Sequence, residues 1–187
     1  MELASYFPPG FSDTHMPPAP SGGRARFERE LVESYGAQLK AMGEPSLWEM
    51  APKAATAFRF TWLPWRDNPI SIRVEERRRG EWWLVATRLT GVGWGTPGSV
   101  ADHRERRLTA EEATRAWRAM DDAEHAPAQT DGGLDGAQWL MERMRGKQYL
   151  FLERWSPEVE DGQGAYRRAC EVFVDLAGPG MVMRELY

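Results

Sequence analysis

The chain has 187 residues, 42% of them hydrophobic and 28% charged, with nine Trp, a single Cys and a net charge of −4. That length fits one domain burying about 70% of the surface its unfolded chain exposes, and the composition excludes disorder over most of its length. The acidic balance removes any global drive toward nucleic acid or an anionic membrane, and a lone cysteine, Cys170, excludes an internal disulfide or a cysteine-based zinc cage.

Residues 1–23 carry Pro8, Pro9, Pro17, Pro18 and Pro20 with Gly22 and Gly23, which block helix. An extended arm is expected there, with Phe7 and Phe11 available to dock it onto a single α+β domain over residues 24–187. The start of the chain lacks a basic segment followed by an apolar run, and no stretch approaches the roughly 18 apolar residues of a membrane span. A cytoplasmic protein that does not enter the membrane is expected. From Arg24 onward Phe27, Leu31, Tyr35, Leu39 and Met42 recur near helical spacing, with Gly43 as a stop, so an amphipathic helix is predicted from Arg24 to Met42. Pro45-Ser46-Leu47-Trp48 opens a short second turn, since Pro is favourable at an early helical position.

Between Thr56 and Leu89 the period changes to two. Phe58, Phe60 and Trp62 alternate with Arg59 and Thr61, and Ile70, Ile72 and Val74 alternate with Arg73 and Glu75. This predicts a three-strand meander. With Gly80-Glu81 as a two-residue turn, Trp83 falls opposite Arg78 and Val85 opposite Glu76, so Trp83 and Val85 join the apolar face. The other face then holds Arg59, Arg73, Arg77 and Arg88 with Trp82 and Leu84. Gly91 to Ser99 contains Gly91, Gly93, Gly95, Pro97 and Gly98 around Trp94, a pattern for an irregular loop.

A helix is predicted from Thr109 to Ala123. Thr109-Ala110-Glu111-Glu112 has the spacing of a capping box, and Ala113, Ala116, Trp117 and Met120 form its apolar stripe. A loop rich in Pro, Gly and Asp follows from Ala126 to Gly136. The hairpin from Ala137 to Trp155, turning at Gly146-Lys147, is apolar on both sides, which suits the middle of a layered structure. A last helix is expected from Gln163 to Ala177 with Gly178 as its stop, and Met181 to Tyr187 as a short strand or docked tail. The whole reads as α+β, an antiparallel sheet of about five strands built from hairpins with three main helices packed on it. Glu76-Arg77-Arg78-Arg79-Gly80 and Glu142-Arg143-Met144-Arg145-Gly146 repeat one phrase at the two hairpin turns, without deciding between duplication and convergence.

Two groups of residues stand out as candidate sites. Arg59, Arg73, Arg77 and Arg88 with Trp82 would form a basic, indole-bearing face of the first sheet, and Trp94 sits at the tip of the glycine loop; Arg beside Trp is the composition of interface hot spots. The bland reading is a solvated sheet face moderated by Glu75 and Glu81. The second group is Asp135, Trp139 and Arg154, where a two-residue turn sets Arg154 opposite Trp139 so that the guanidinium can stack on the indole. Asp135-Gly136 reads as a tight turn entering a strand, and Ser156-Pro157 as an exit from one.

The elements Gly133-Leu134-Asp135-Gly136, Trp139 and Arg154-Trp155-Ser156-Pro157, with Tyr149, resemble a signature shared by an uncharacterised group of small bacterial proteins. The resemblance covers roughly Phe58 to Leu176 and implies no activity, cofactor or catalytic residue.

Chemistry is otherwise sparse. His15, His103 and His125 lie far apart, outside any two-His ligand spacing, and Asp121-Asp122-Ala123-Glu124-His125 reads as solvated charge at a helix end. Ser156 has no identifiable base and no Gly-x-Ser-x-Gly elbow. The alternating glycines of Gly91 to Gly95 lack the third Gly and the helix start of a phosphate-binding fingerprint. Neither a metal nor a cofactor is expected. These readings point to a noncatalytic cytoplasmic binding protein, an adaptor or immunity-type partner of another protein. The alternative is an enzyme or small-molecule binder with a pocket between the 137–155 hairpin and the 91–99 glycine loop.

Overall fold

Period-two alternation becomes strand and near-helical spacing becomes helix through most of the chain, giving one antiparallel sheet with helices on both faces. The computed structural model describes residues 6–8, 11, 22–53, 56–129, 135–182 and 186–187, with backbone alone for 22–29 and 51–53. Among them are β1 (Thr56–Pro64), β2 (Ile70–Arg78), β3 (Glu81–Leu89), β4 (Val100–Arg107), β5 (Ala137–Arg145) and β6 (Gln148–Trp155), with α1 (Gly22–Ala41), α2 (Ala110–His125) and α3 (Gly164–Ala177). The strand order is β4-β3-β2-β1-β5-β6, and every neighbouring pair is antiparallel. The fold is therefore α+β with six strands where about five were expected. Most of the arm, the side chain of Phe27, and Gly133 and Leu134 lie outside the described residues.

The additional strand is β4, whose sequence, Val-Ala-Asp-His-Arg-Glu-Arg-Arg, has no apolar alternation to reveal it. It is an edge strand, and charge on an edge discourages pairing with other chains. Its arginines pack by capping rather than by burial. Arg104 Nη1 donates to the Ala177 and Pro179 carbonyls (3.1 and 2.8 Å), and Arg106 Nη2 to the Leu176 carbonyl (2.7 Å). Cations here satisfy carbonyls that the end of α3 leaves unpaired.

The first hairpin differs from its expected register. Arg78 pairs with Glu81, so Arg79-Gly80 make the turn, with Gly80 in the left-handed position at φ 74° and an irregularity between Glu76 and Arg78. Val74 then lies opposite Leu84, Ile72 opposite Ala86, and Arg73 opposite Val85. A slip of one residue moves a strand's side chains to the opposite face. Trp82, Leu84 and Ala86 thus join the core, while Trp83 and Val85 share the face of the arginines. The second hairpin turns at Gly146-Lys147 as predicted, and Arg154 lies opposite Trp139.

One sheet face carries Phe58, Phe60, Ile72, Val74, Leu84, Ala86, Trp139 and Met141 against Ala116, Met120 and Ala123 of α2 and Tyr166, Cys170 and Phe173 of α3. The capping box forms at the start of α2: Thr109 N donates to Glu112 Oε2 at 2.8 Å and Glu112 N to Thr109 Oγ1 at 3.2 Å. Burial pushes the Cys170 thiol far above its ordinary pKa, as expected for inert packing. The opposite face lies beneath α1, where Leu31, Tyr35 and Leu39 meet Leu63, Leu140 and Phe151. Phe7 and Phe11 dock on the same cluster, their rings 5.8 and 4.7 Å from that of Phe151.

Candidate functional site

Burial removes most of the expected basic face from the surface. Arg59 is fully buried beneath α1 and the segment after it; its Nε donates to Glu142 Oε2 (2.7 Å), and its Nη1 to the Pro45 carbonyl (2.8 Å) and Glu44 Oε2 (3.4 Å). Arg73 donates to the same Glu44 oxygen at 2.8 Å and pairs with Glu75. Arg77 bridges Glu75 (2.6 Å) to Glu105 (2.5 Å) and lies 4.7 Å above the Trp83 ring. Seven charges thus run Glu142, Arg59, Glu44, Arg73, Glu75, Arg77 and Glu105 across the sheet, alternating in sign. Burial opposes the charge of Arg59, but Glu142 and Glu44 outweigh it and raise its pKa. Trp82 is stacked on Phe58 in the core, with centroids 6.0 Å apart, and Arg88 faces the core side opposite Ile70. Alternation predicts which residues share a face, not whether another layer covers it.

The second expected group also separates. Trp139 is fully buried and donates Nε1–H to the Tyr187 carbonyl (2.9 Å). Arg154 stacks at 5.0 Å on Tyr166 rather than on Trp139, whose ring has Arg167 at 5.5 Å. Arg154 is almost wholly buried and ties the end of α2 to the turn before α3. Its Nε donates to Gln163 Oε1 (3.1 Å), and its Nη2 to the Pro127 and Ala126 carbonyls (2.8 and 3.4 Å). Asp135 remains at the surface. The motif residues on either side of this hairpin hold each other: Ala137 N donates to Ser156 Oγ and Ser156 N to the Ala137 carbonyl, both at 2.9 Å. A Cβ on Gly136 would fall 2.5 Å from Ser156 Oγ and 2.8 Å from the Trp155 ring.

A different cluster emerges at the end of the sheet where β1, β3 and β6 finish. The exposed large hydrophobics among the described residues are Trp65, Val92, Val100, Val159 and Tyr187, and all belong to this end. A shallow depression of about 290 Å³ lies beside two of them, Trp65 and Tyr187, and is lined also by Arg66, Asp67, Asp135 and Gly136. Trp65 and Tyr187 are 44% and 38% exposed, enough to meet a partner while keeping a packed base.

The depression is held by backbone. Trp65 N donates to the Gly136 carbonyl (2.9 Å), and Arg66 N to Tyr187 Oη (3.2 Å). The Tyr187 ring also meets Trp62 edge-on at 5.5 Å. The glycine loop packs against the end of β1 next to it. Gly93 N donates to the Pro64 carbonyl (2.7 Å), and a Cβ on Gly93 would fall 2.4 Å from the Leu63 carbonyl carbon, so only glycine allows this approach. Half-buried Trp94 is thereby held 6.3 Å from the Trp65 ring. Across the floor, Arg66 Nη2 meets Asp135 Oδ1 at 3.3 Å, with side chains 74% and 72% exposed. An exposed pair like this is worth about 0–1 kcal/mol, so its charges can exchange partners at little cost. Trp94 and Asp135 were singled out in the sequence; Trp65, Arg66 and Tyr187 were not. The available cue was a Trp set in the turn-forming run from Pro64 to Pro69.

His125 bonds the Asp121 carbonyl (2.7 Å), and His103 bonds Thr87 Oγ1 (2.9 Å), but Thr87 is fully buried and cannot meet a substrate. No group of three or more His, Cys, Asp or Glu among the described residues is arranged to hold a metal ion. No helix among them is long and apolar enough to cross a membrane. No family model matches the chain, and neither does any curated protein.

Proposed function

We propose that the protein is a noncatalytic binding protein of adaptor or immunity type, holding another protein at the loop end of its sheet through Trp65, Trp94 and Tyr187. The observation that carries this reading is the concentration of exposed aromatic surface around a depression bearing an exchangeable Arg66–Asp135 pair. Aromatic and arginine anchors contribute most of the affinity at protein interfaces. Size favours a protein over a small molecule: the depression, at about 290 Å³, is open and at the bottom of the roughly 300–1,000 Å³ range of ligand pockets. The single cysteine, buried at position 170, supports a cytoplasmic setting.

Co-purification from the source cells with tagged variants tests the reading. Trp65→Ala and Tyr187→Ala should each lower recovery of one stoichiometric protein, consistent with a hot-spot loss of about 2 kcal/mol or roughly 30-fold in Kd. Arg79→Ala at the opposite end should leave recovery unchanged. Recovery unaffected by either aromatic substitution would contradict the proposed surface.

A further inference from the structure

A second surface lies on the sheet face opposite α1, where α2 and α3 pack side by side. Each helix presents the same spacing to the cleft between them: positions 115, 118, 119 and 122 in α2, and 165, 168, 169 and 172 in α3. That i, i+3, i+4, i+7 pattern forms one stripe of a helix. Small residues in it, Ala119, Ala165 and Ala169, leave an open groove of about 430 Å³ floored by alanine and Val172. Exposed Arg115 and Arg118 rise from one wall and exposed Arg168 from the other, with Asp122 the single acid in the lining.

Most carboxylates flanking the groove are paired outside it. Glu112 pairs with Arg106 (2.8 Å), Asp121 and Glu124 face Arg143 (3.6 and 2.6 Å), and Glu171 pairs with Arg167 (3.0 Å). Asp175 reaches Arg115 only at 3.8 Å. Arg118 and Arg168 have neither an ion pair nor a hydrogen bond among the described residues. The lining therefore holds three guanidinium groups against the one carboxylate of Asp122, an excess of positive charge beside an apolar floor on a protein whose net charge is −4. The positive character is local to this groove, and its complement is a segment that brings carboxylates and small apolar side chains together.

We propose that the α2–α3 groove binds an acidic, amphipathic segment of a partner protein, with its apolar stripe on the alanine floor and its carboxylates on Arg118 and Arg168. An amphipathic helix laid in a groove between helices is a recurring recognition mode, and Arg binds carboxylates with two parallel hydrogen bonds. Nucleic acid fits less well. The floor offers no aromatic ring for a base to stack on, and the groove presents few cations to follow a phosphate backbone.

The test uses the full chain and a fluorescein-labelled 15-residue helical peptide with Leu on one stripe and Glu on the flanks. Its counterpart with Lys for Glu and a single-stranded oligonucleotide of equal charge serve as comparisons. Expected are saturable binding of the Glu peptide, weakening by at least tenfold in Arg118→Ala/Arg168→Ala, and NMR shifts of the Ala119 and Ala169 methyls on titration. Both arginines are exposed, so the variant should keep the parent Tm and circular dichroism, and Arg78→Ala/Arg79→Ala should bind like the parent. No saturable binding at millimolar peptide would overturn the proposal, as would equal binding of the Lys peptide, Arg118- and Arg168-dependent preference for the oligonucleotide, or unchanged affinity in the double variant.

Discussion

Replacing Arg59 with Met removes the cation shared by Glu142 and Glu44 while keeping an unbranched apolar side chain of similar reach. Arg59 and Glu142 lie at ion-pair distance (2.5 Å), with side chains 0% and 1% exposed, so water cannot replace the lost partner. Breaking a buried pair from one side costs ~3–5 kcal/mol because a charge is stranded. Among the described residues Glu44 retains Arg73 at 2.8 Å, whereas Glu142 keeps the hydroxyl hydrogen bond of Tyr149, also at 2.8 Å, and no cation. One stranded carboxylate rather than two places the expected loss near the lower limit, about 3 kcal/mol. For a domain of this size that corresponds to a fall in Tm of about 6–12 °C. Urea unfolding followed by the fluorescence of the buried Trp62 and Trp139 measures it directly. Glu142→Gln in the Arg59→Met background leaves a neutral acceptor for Tyr149, so the double variant should recover at least about 1 kcal/mol relative to additivity. A loss below about 1 kcal/mol for Arg59→Met, or strict additivity in the cycle, would refute the account of this network as a coupled buried unit.

Three further outcomes are expected. Arg154→Ala should destabilise by about 2–4 kcal/mol through the buried acceptors it abandons, whereas Asp135→Ala should stay within about 0.5 kcal/mol; similar losses in denaturant titrations would overturn the division between a buried strut and a surface group. Among the described residues Thr61 Oγ1 is buried without a hydrogen-bond partner, so the isosteric Thr61→Val should stabilise by about 1 kcal/mol, and a comparable loss would show that the hydroxyl is satisfied after all. Hydrogen bonds from Arg106 and from the Thr109 backbone lower the Glu112 pKa from 4.5 to about 2, so its contribution is complete above about pH 4.5 and is lost as pH falls through about 2. Glu112→Gln should therefore cost about 1 kcal/mol at neutral pH and nearly nothing at pH 2; a pH-independent difference in urea midpoints would contradict that cause.

Local patterns were legible where one rule governs. The capping box of α2, the glycine stops after α1 and α3, and the Gly146-Lys147 turn follow from backbone chemistry within a few residues. The Arg79-Gly80 turn did not, because Gly80 fits the turn in more than one place and a bulge absorbs the difference, and a one-residue choice exchanged the faces of Trp82 and Trp83. β4 was hidden because its arginines cap α3 instead of burying apolar surface. Arg59 and Arg73 look like surface residues in any alternating strand; they are interior because Glu44, distant in sequence, folds over them. The aromatic depression and its neighbour Trp94 were least visible, since Trp65, Trp94 and Asp135 come from three connections and Tyr187 from the segment after α3, which only the strand order brings together.

Site-specific photo-crosslinking in the source cells tests the proposed binding end most directly. A photoreactive phenylalanine derivative replaces Trp65 or Trp94 at the loop end, and Arg79 or Lys147 at the opposite turns. The account predicts one discrete adduct of the same added mass from positions 65 and 94 and none from 79 and 147. Adducts confined to positions 79 and 147, or none at any position, would contradict it.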